Sequence, residues 1–392
     1  MESFFRTHSY LVEHVHAPVR RALMDEINWD DRLIGIKGSR GVGKTAFLLS
    51  YARENFRDEE HKCLYINMNN FYFQGHSISE FAKEFYDYGG RVLLIDQIFK
   101  DPNWSQELRR CYDTLPGLKI VFTGSSVMRL KEENPELGGI AKSYNLRGFS
   151  FREYLNLKTG LNLKPHSLDE IIRNHGQIAA EICHKVNPLD HFQAYTHHGY
   201  YPFFLERRNF SENLVKTMNM MIEVDILLIK QIELKYLSKI KQLLYLLAVD
   251  RTQAPNVSQL AADIQTSRAT VTNYIKYLAD ARLINVLYRL GESSPKKAAR
   301  IMMHNPNLMH AILPQQVSEQ EESETFFQNA LWGRHIVNVG KRSYDFAVGG
   351  RLHFRVLSEA PKRQLAGIHY AMNGIRRGDE HQIPLWLFGF LY

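Results

Sequence analysis

Short apolar runs alternate with helical patterns over the first 150 residues. Residues 32–37 (RLIGIK), 62–67 (KCLYIN), 91–95 (RVLLI) and 118–123 (LKIVFT) are brief, apolar and rich in Val, Ile and Leu. Runs of that kind, without strict in–out alternation, are the strands of a parallel sheet covered by helices on both faces. A segment such as AFLLSYAREN, just after the first run, carries helical spacing instead. The pattern predicts one doubly wound α/β domain over residues 1–150.

Beyond residue 150 the pattern changes. SFREYLNL, SLDEIIRNH and IAAEICHKV read as helices, followed by a long polar–apolar helix through residue 232, with GYYPFF (199–204) as an interruption. This predicts a helical lid or connector over 151–235. Three helix-like segments then lead into LINVLYRL. Residues 257–264 (VSQLAADI) and 268–281 (RATVTNYIKYLADA) fit the two helices of a helix-turn-helix, with Val271, Ile275 and Leu278 at helical spacing. LINVLYRL would enter a wing carrying Lys296, Lys297 and Arg300, so 236–300 reads as a winged helix. Residues 301–392 mix strand-like runs (DFAVGG, LHFRVL, PLWLFGFLY) with a helix near 321–333, which predicts a small α/β domain.

Composition narrows the class. Hydrophobic content of 44% and charged content of 23% exclude a disordered or fibrous chain. No run reaches the roughly 18 apolar residues of a membrane span. The opening MESFFRTHSYLVEHVH lacks a basic region followed by an apolar core, so no secretory signal is expected there. Cys63, Cys111 and Cys183 are too scattered for a disulfide framework or zinc site and are expected as reduced thiols of a cytoplasmic protein. His197-His198, just before GYYPFF, reads as local packing, because no His-x-Glu or His-x-x-x-His spacing occurs on a convincing helix face.

The net charge of +7 is unevenly distributed. Residues 1–150 hold 20 basic and 20 acidic side chains, whereas 251–300 hold 8 against 3, a local +5. Such an excess fits nucleic acid, an acidic protein partner or a solvated face. Arg268, Thr270, Thr272, Asn273 and Lys276 lie on the early turns of the second helix, where side chains reach base edges and phosphates. DNA is therefore the expected partner of 251–300, with docking of a protein as the alternative.

The candidate chemistry starts at Gly38-Ser39-Arg40-Gly41-Val42-Gly43-Lys44-Thr45, which fits G-x-x-x-x-G-K-[ST] without a mismatch. The glycines let backbone N–H groups turn inward around phosphates, Lys44 reaches the β- and γ-phosphates, and the Thr45 hydroxyl binds Mg²⁺. A strand precedes the loop and a helix follows it, as this site requires. Val92-Leu93-Leu94-Ile95-Asp96 is a second buried strand, ending in an acid 52 positions after Lys44 (96 minus 44), and Asp96 would hold Mg²⁺. Gln97 stands where a glutamate would polarise the attacking water. A neutral amide positions water but cannot take its proton. ATP and Mg²⁺ are thus the expected cofactors, with Lys44, Gln97 and Ser125 as the catalytic set. Ser125 is first choice within Thr-Gly-Ser-Ser (123–126) for contact with the γ-phosphate or water, Ser126 is second, and a turn or helix cap is the plain alternative.

Taken together, GSRGVGKT, LLIDQIFKDPNWSQELRRCYD, IVFTGSS, LRGFSFREYL, GYYPFF, NPNLMHA, ETFFQNAL and IPLWLFGFLY resemble a family of bacterial and archaeal AAA-plus-like ATPases. That family carries a C-terminal winged helix and a restriction-endonuclease-like tail of unassigned function. The resemblance implies an ATP-binding homo-oligomer without a known substrate. It also exposes three departures. Asp96-Gln97 replaces Asp-Glu. Glu136-Leu137-Gly138-Gly139-Ile140 replaces an arginine-bearing segment, leaving Lys142 or Arg147 as stand-ins or as solvated surface charges. In the tail, Glu324 and Asp345 fit two expected metal ligands, but Arg355-Val356-Leu357 occupies the place of Glu-x-Lys, so nuclease activity is not expected and both acids read as structural. An introduced glutamine would explain only Gln97, whereas divergence into a binding module explains all three. The expected function is an ATP- and Mg²⁺-binding oligomer with slow turnover that engages DNA; the alternative is an ATP-locked scaffold that docks a protein.

Overall fold

Five strands build the first sheet: β1 Leu33–Gly38, β2 Cys63–Asn67, β3 Val92–Asp96, β4 Lys119–Ser125 and β5 Lys142–Asn145. They lie in the order β2-β3-β4-β1-β5, and every neighbouring pair is parallel. The computed structural model describes all residues except 58, 60, 129–133, 207–208, 250–253 and 293–297. It divides into two units, Met1–Arg147 and Gly148–Tyr392.

In the first unit, β1 to β4 fall on the four expected apolar runs. The fifth strand lies outside those runs because Lys-Ser-Tyr-Asn is not apolar; it is a short edge strand with exposed Lys142 and Asn145. Helix Lys44–Asn55 follows β1 and buries Phe47, Leu48 and Leu49. Trp29 stacks on Tyr51 of that helix at 3.9 Å. Helix Ile78–Asp87 starts from a capping box of Ser77 and Glu80, which satisfies two otherwise orphan backbone donors. Because the strands are parallel, Gly38, Asp96 and Ser125 all sit at one carboxyl-end edge of the sheet, where ligands of open α/β sheets bind.

The second unit begins with helices Phe151–Thr159, Leu168–Lys185 and Leu189–His198. SLDEIIRNH and IAAEICHKV, expected as separate helices, form the single helix Leu168–Lys185, with Gly176 tolerated inside it. A 3₁₀ turn at Pro202–Glu206 occupies the interruption. The following helical run, Phe210–Met220, passes through a π-helical stretch, Met221–Ile226, into Leu227–Lys230. Next come helices Leu237–Val249, Val257–Asp263 and Arg268–Asp280, and an antiparallel pair, β6 Ile284–Leu287 and β7 Arg300–Met303. Lys296 and Lys297 lie outside the described residues.

Helices Pro306–Ile312 and Glu319–Leu331 lead into a second sheet: β8 Val337–Lys341, β9 Tyr344–Val348, β10 Leu352–Leu357, β11 Ile368–Met372 and β12 Gln382–Pro384. Its order is β12-β11-β10-β9-β8, with parallel pairing among the last three strands and antiparallel pairing among the first three. The run PLWLFGFLY corrects one expectation. It is not a strand: Leu385–Phe390 forms a 3₁₀ turn, wholly buried. A continuous apolar run marks burial, and periodicity alone does not choose between buried strand and buried helix. Leu385, Leu387 and Phe388 share one core with Phe151, Phe192, Phe326, Phe327 and Phe354, so the first helices and the last sheet of this unit are built around the same apolar centre.

Candidate functional site

The loop between β1 and helix Lys44–Asn55 takes its shape from its glycines. Gly41 and Gly43 have φ of 85° and 92°, the left-handed region that a side chain opposes. A Cβ on Gly38 would meet the Leu146 carbonyl oxygen at 2.5 Å. Ser39 and Val42 are buried, and Arg40 is half-buried. Lys44 folds back across the loop, its Nζ donating to the carbonyls of Gly38 and Ser39, each at 2.9 Å. Arg21, absent from any sequence expectation, braces the loop by donating to the Val42 carbonyl at 3.0 Å and the Arg147 carbonyl at 2.6 Å.

Asp96, at the end of β3, is 1% exposed, and donors converge on its carboxylate. Its Oδ2 accepts from Thr45 Oγ1 at 2.6 Å, from the Tyr65 hydroxyl at 2.9 Å and from Asn67 Nδ2 at 3.4 Å. Its Oδ1 accepts from Thr123 Oγ1. The Thr45–Asp96 bond brings together the hydroxyl and the carboxylate that sequence reasoning assigned to one metal. The donor set is oxygen-based, which suits a hard cation such as Mg²⁺. Burial, and then the charge of Asp96, push the Tyr65 hydroxyl well above its ordinary range, so Tyr65 stays a donor.

Gln97 follows Asp96 with φ 58° and ψ 47°, a left-handed conformation that costs a residue with a Cβ about 1–2 kcal/mol. Its backbone N–H donates to Thr123 Oγ1 at 3.0 Å. One hydroxyl, that of Thr123, therefore joins the metal-binding acid to the residue in the base position. Ser125 sits two residues further along β4, opposite Gly38 in register. Its Oγ accepts from the Val127 N–H at 3.3 Å, a turn bond of the kind the plain alternative described. Ser126 donates its N–H to the Gly38 carbonyl at 3.1 Å. Thr123 and Ser125 alternate onto the same strand face, so the sequence held the right motif while spacing alone did not say which hydroxyl met Asp96. Tyr65 and Asn67 belong to no motif; they alternate onto one face of the neighbouring strand, whose last residue, Asn67, is opposite Asp96 in register.

Elsewhere the candidate residues separate. Glu136 accepts from Ser105 Oγ, and Lys142 is an exposed residue of edge strand β5. On helix Arg268–Asp280, Val271, Ile275 and Leu278 are buried, whereas Arg268, Thr272, Asn273 and Lys276 are exposed; Thr270 is half-buried and shares a hydrogen bond with Ser267. Arg300 is not a free cation of a wing. It pairs with Glu324 of helix Glu319–Leu331, and both side chains are more than four-fifths shielded. Gln320 Nε2 donates to Glu324 Oε1 at 2.7 Å. Asp345 accepts from the Val356 N–H at 2.9 Å; burial raises its carboxyl above the ordinary range and Glu324 adds to the rise, while Arg355 and Arg300 oppose it.

Motifs that carry the resemblance interlock inside the second unit. Asn307 accepts from the Tyr200 N–H at 2.9 Å and donates to the carbonyls of Tyr195 and Thr196, while Asn305 donates to the Tyr201 hydroxyl at 3.2 Å. Asn329 donates to the His304 carbonyl at 2.9 Å. These residues hold the core rather than a ligand.

Residues 30–155 match the family model of an AAA domain, and residues 189–319 match a domain of unknown function, DUF8612. With the loop and the parallel five-stranded sheet, the first match makes the amino-terminal unit an AAA-type P-loop domain. An uncharacterized protein of Methanocaldococcus jannaschii is 28% identical over 280 residues, 67% of this chain and 58% of that protein, so the match spans less than two thirds of its relative. Solved structures with local likeness include a Thermotoga maritima RuvB variant (13% identity, TM-score 0.28, covering 81% of this chain and 96% of that one). C. elegans PCH-2 is similar at 13% identity and TM-score 0.24, covering 46% and 47%. TM-scores this low do not establish a common fold for the whole chain. No helix among the described residues is long and apolar enough to cross a membrane.

Proposed function

We propose that this protein binds ATP with Mg²⁺ in its amino-terminal unit, assembles as a homo-oligomer and turns ATP over slowly. The observation that carries the reading is the 2.6 Å bond between Thr45 and Asp96, in front of a loop whose lysine already lies over it. Lys44 and the loop N–H groups would hold the phosphates, Thr45 and Asp96 the metal. The bound ion would supply positive charge against the phosphate oxygens. Tyr65, Asn67 and Thr123 orient the Asp96 carboxylate by hydrogen bonds to its two oxygens. Gln97 positions water without accepting its proton, which supports slow hydrolysis. Mg²⁺-dependent ATP binding measured by calorimetry should weaken at least about tenfold in Lys44→Ala and in Asp96→Asn. Equal affinity in all three proteins would defeat the reading. Particle mass should rise when ATP and Mg²⁺ are added.

For the segment 236–300, we infer a winged helix built of Leu237–Val249, Val257–Asp263, Arg268–Asp280 and the β6–β7 pair, meeting DNA through the exposed face of its third helix. Protein docking is the second reading, and one observation favours it. Arg300 is paired with Glu324 and Arg282 lies 4.1 Å over the Trp332 ring, so part of the local positive charge is spent inside the fold. The acids Glu324 and Asp345 serve the same interior, which supports a structural tail over a nuclease.

A further inference from the structure

Three helices of the second unit bring together side chains that no motif connects. His197 is in the last turn of helix Leu189–His198, His310 lies in helix Pro306–Ile312, and Glu322 is in the first turn of helix Glu319–Leu331. The imidazoles of His197 and His310 stack with centroids 3.7 Å apart. His310 Nε2 and Glu322 Oε1 are 2.6 Å apart, and each of those two side chains is less than a fifth exposed. One ligand atom from each of the three residues lies within 4.8 Å of the other two.

We propose that His197, His310 and Glu322 form a binding site for a borderline divalent transition ion of the Zn²⁺ class. Two imidazoles and one carboxylate are a donor set that such an ion selects over Mg²⁺ or Ca²⁺, which prefer oxygen alone. Protein ligands at three corners leave the fourth to water. The ion takes the place of the hydrogen between His310 Nε2 and Glu322 Oε1: a protonated His310 releases that proton to solvent, and a neutral one keeps its proton on Nδ1. His197, exposed at its helix end, is the ligand that adjusts on binding. The site would tie three helices of the second unit that no motif connects.

The test is zinc titration of the full chain, freed of metal by a chelator and without nucleotide. Asp96→Asn is used as background, so that the phosphate loop's acid does not contribute. The proposal expects one zinc per chain at micromolar affinity or tighter (about −8 kcal/mol) and a higher unfolding temperature with zinc. His197→Gln and His310→Gln should each weaken binding at least about tenfold and cancel the thermal shift. His197 is exposed, so its variant keeps the fold even where His310→Gln does not. Absence of stoichiometric binding overturns the proposal. So does binding that both variants leave unchanged, which places the ion elsewhere, and so does loss in His310→Gln alone, which removes His197 from the ligand set.

Discussion

Thr123 shows how much one hydroxyl can organise. It donates to Asp96 Oδ1 and accepts from the Gln97 N–H, so it fixes two residues of the candidate site at once. Thr123→Val keeps the shape but leaves a buried carboxylate oxygen and a backbone N–H without that partner. Loss of about 1–3 kcal/mol from the first unit is expected, read from denaturant unfolding, together with weaker Mg²⁺-dependent ATP binding. Unchanged stability and binding would mean that Asp96 is oriented by Thr45 and Tyr65 alone. At this scale the sequence disclosed the residues with fixed spacing, from Gly38 to Thr45, and the acid that ends a buried strand. It could not disclose Tyr65, Asn67 or Arg21, because their roles come from strand neighbours and from a segment folded across the loop, neither of which leaves a local pattern.

Elements were legible where burial was uniform and obscure where it was not. β1 to β4 could be read because both faces are covered; β5 could not, because its edge position permits Lys142 and Asn145. Leu385–Phe390 misled as a strand because total burial hides the period that separates strand from helix. Edge strand β2 carries a pH-dependent contact. His8 Nδ1 accepts from the Tyr65 N–H at 3.0 Å, and burial lowers the His8 pKa to about 4. A depressed histidine contributes stability that is present above its unfolded pKa of about 6.5 and is lost as pH falls towards 4. The midpoint of unfolding of the first unit should therefore decline across that window, and His8→Gln should flatten the decline; an identical profile in the variant would remove His8 as the cause. The charged elements of the second unit divide in the same way. Arg268→Glu with Lys276→Glu should weaken DNA binding and reduce its salt dependence by about two ion equivalents. Arg300→Ala should instead destabilise the unit by about 3 kcal/mol through the stranded Glu324, with little change in salt dependence. The reverse assignment would place the DNA face at the β6–β7 pair.

For the molecule as a whole, the net charge of +7 is a poor guide until it is located. It is absent from residues 1–150, concentrated in 251–300, and there partly neutralised by Glu324. The family resemblance likewise mixes two kinds of motif. GSRGVGKT and the Asp96 strand carry chemistry, whereas GYYPFF, NPNLMHA and IPLWLFGFLY build the interior of the second unit. In this chain the motifs of that half hold an interior, and the activity has to be argued from the first unit. The central claim, a nucleotide site competent to bind but short of a base, is tested most directly by steady-state phosphate release at saturating ATP and Mg²⁺, with Gln97→Glu alongside. The account predicts release well below about 1 s⁻¹ and a clear rise in the variant; release at or above that rate in the unaltered protein would contradict it.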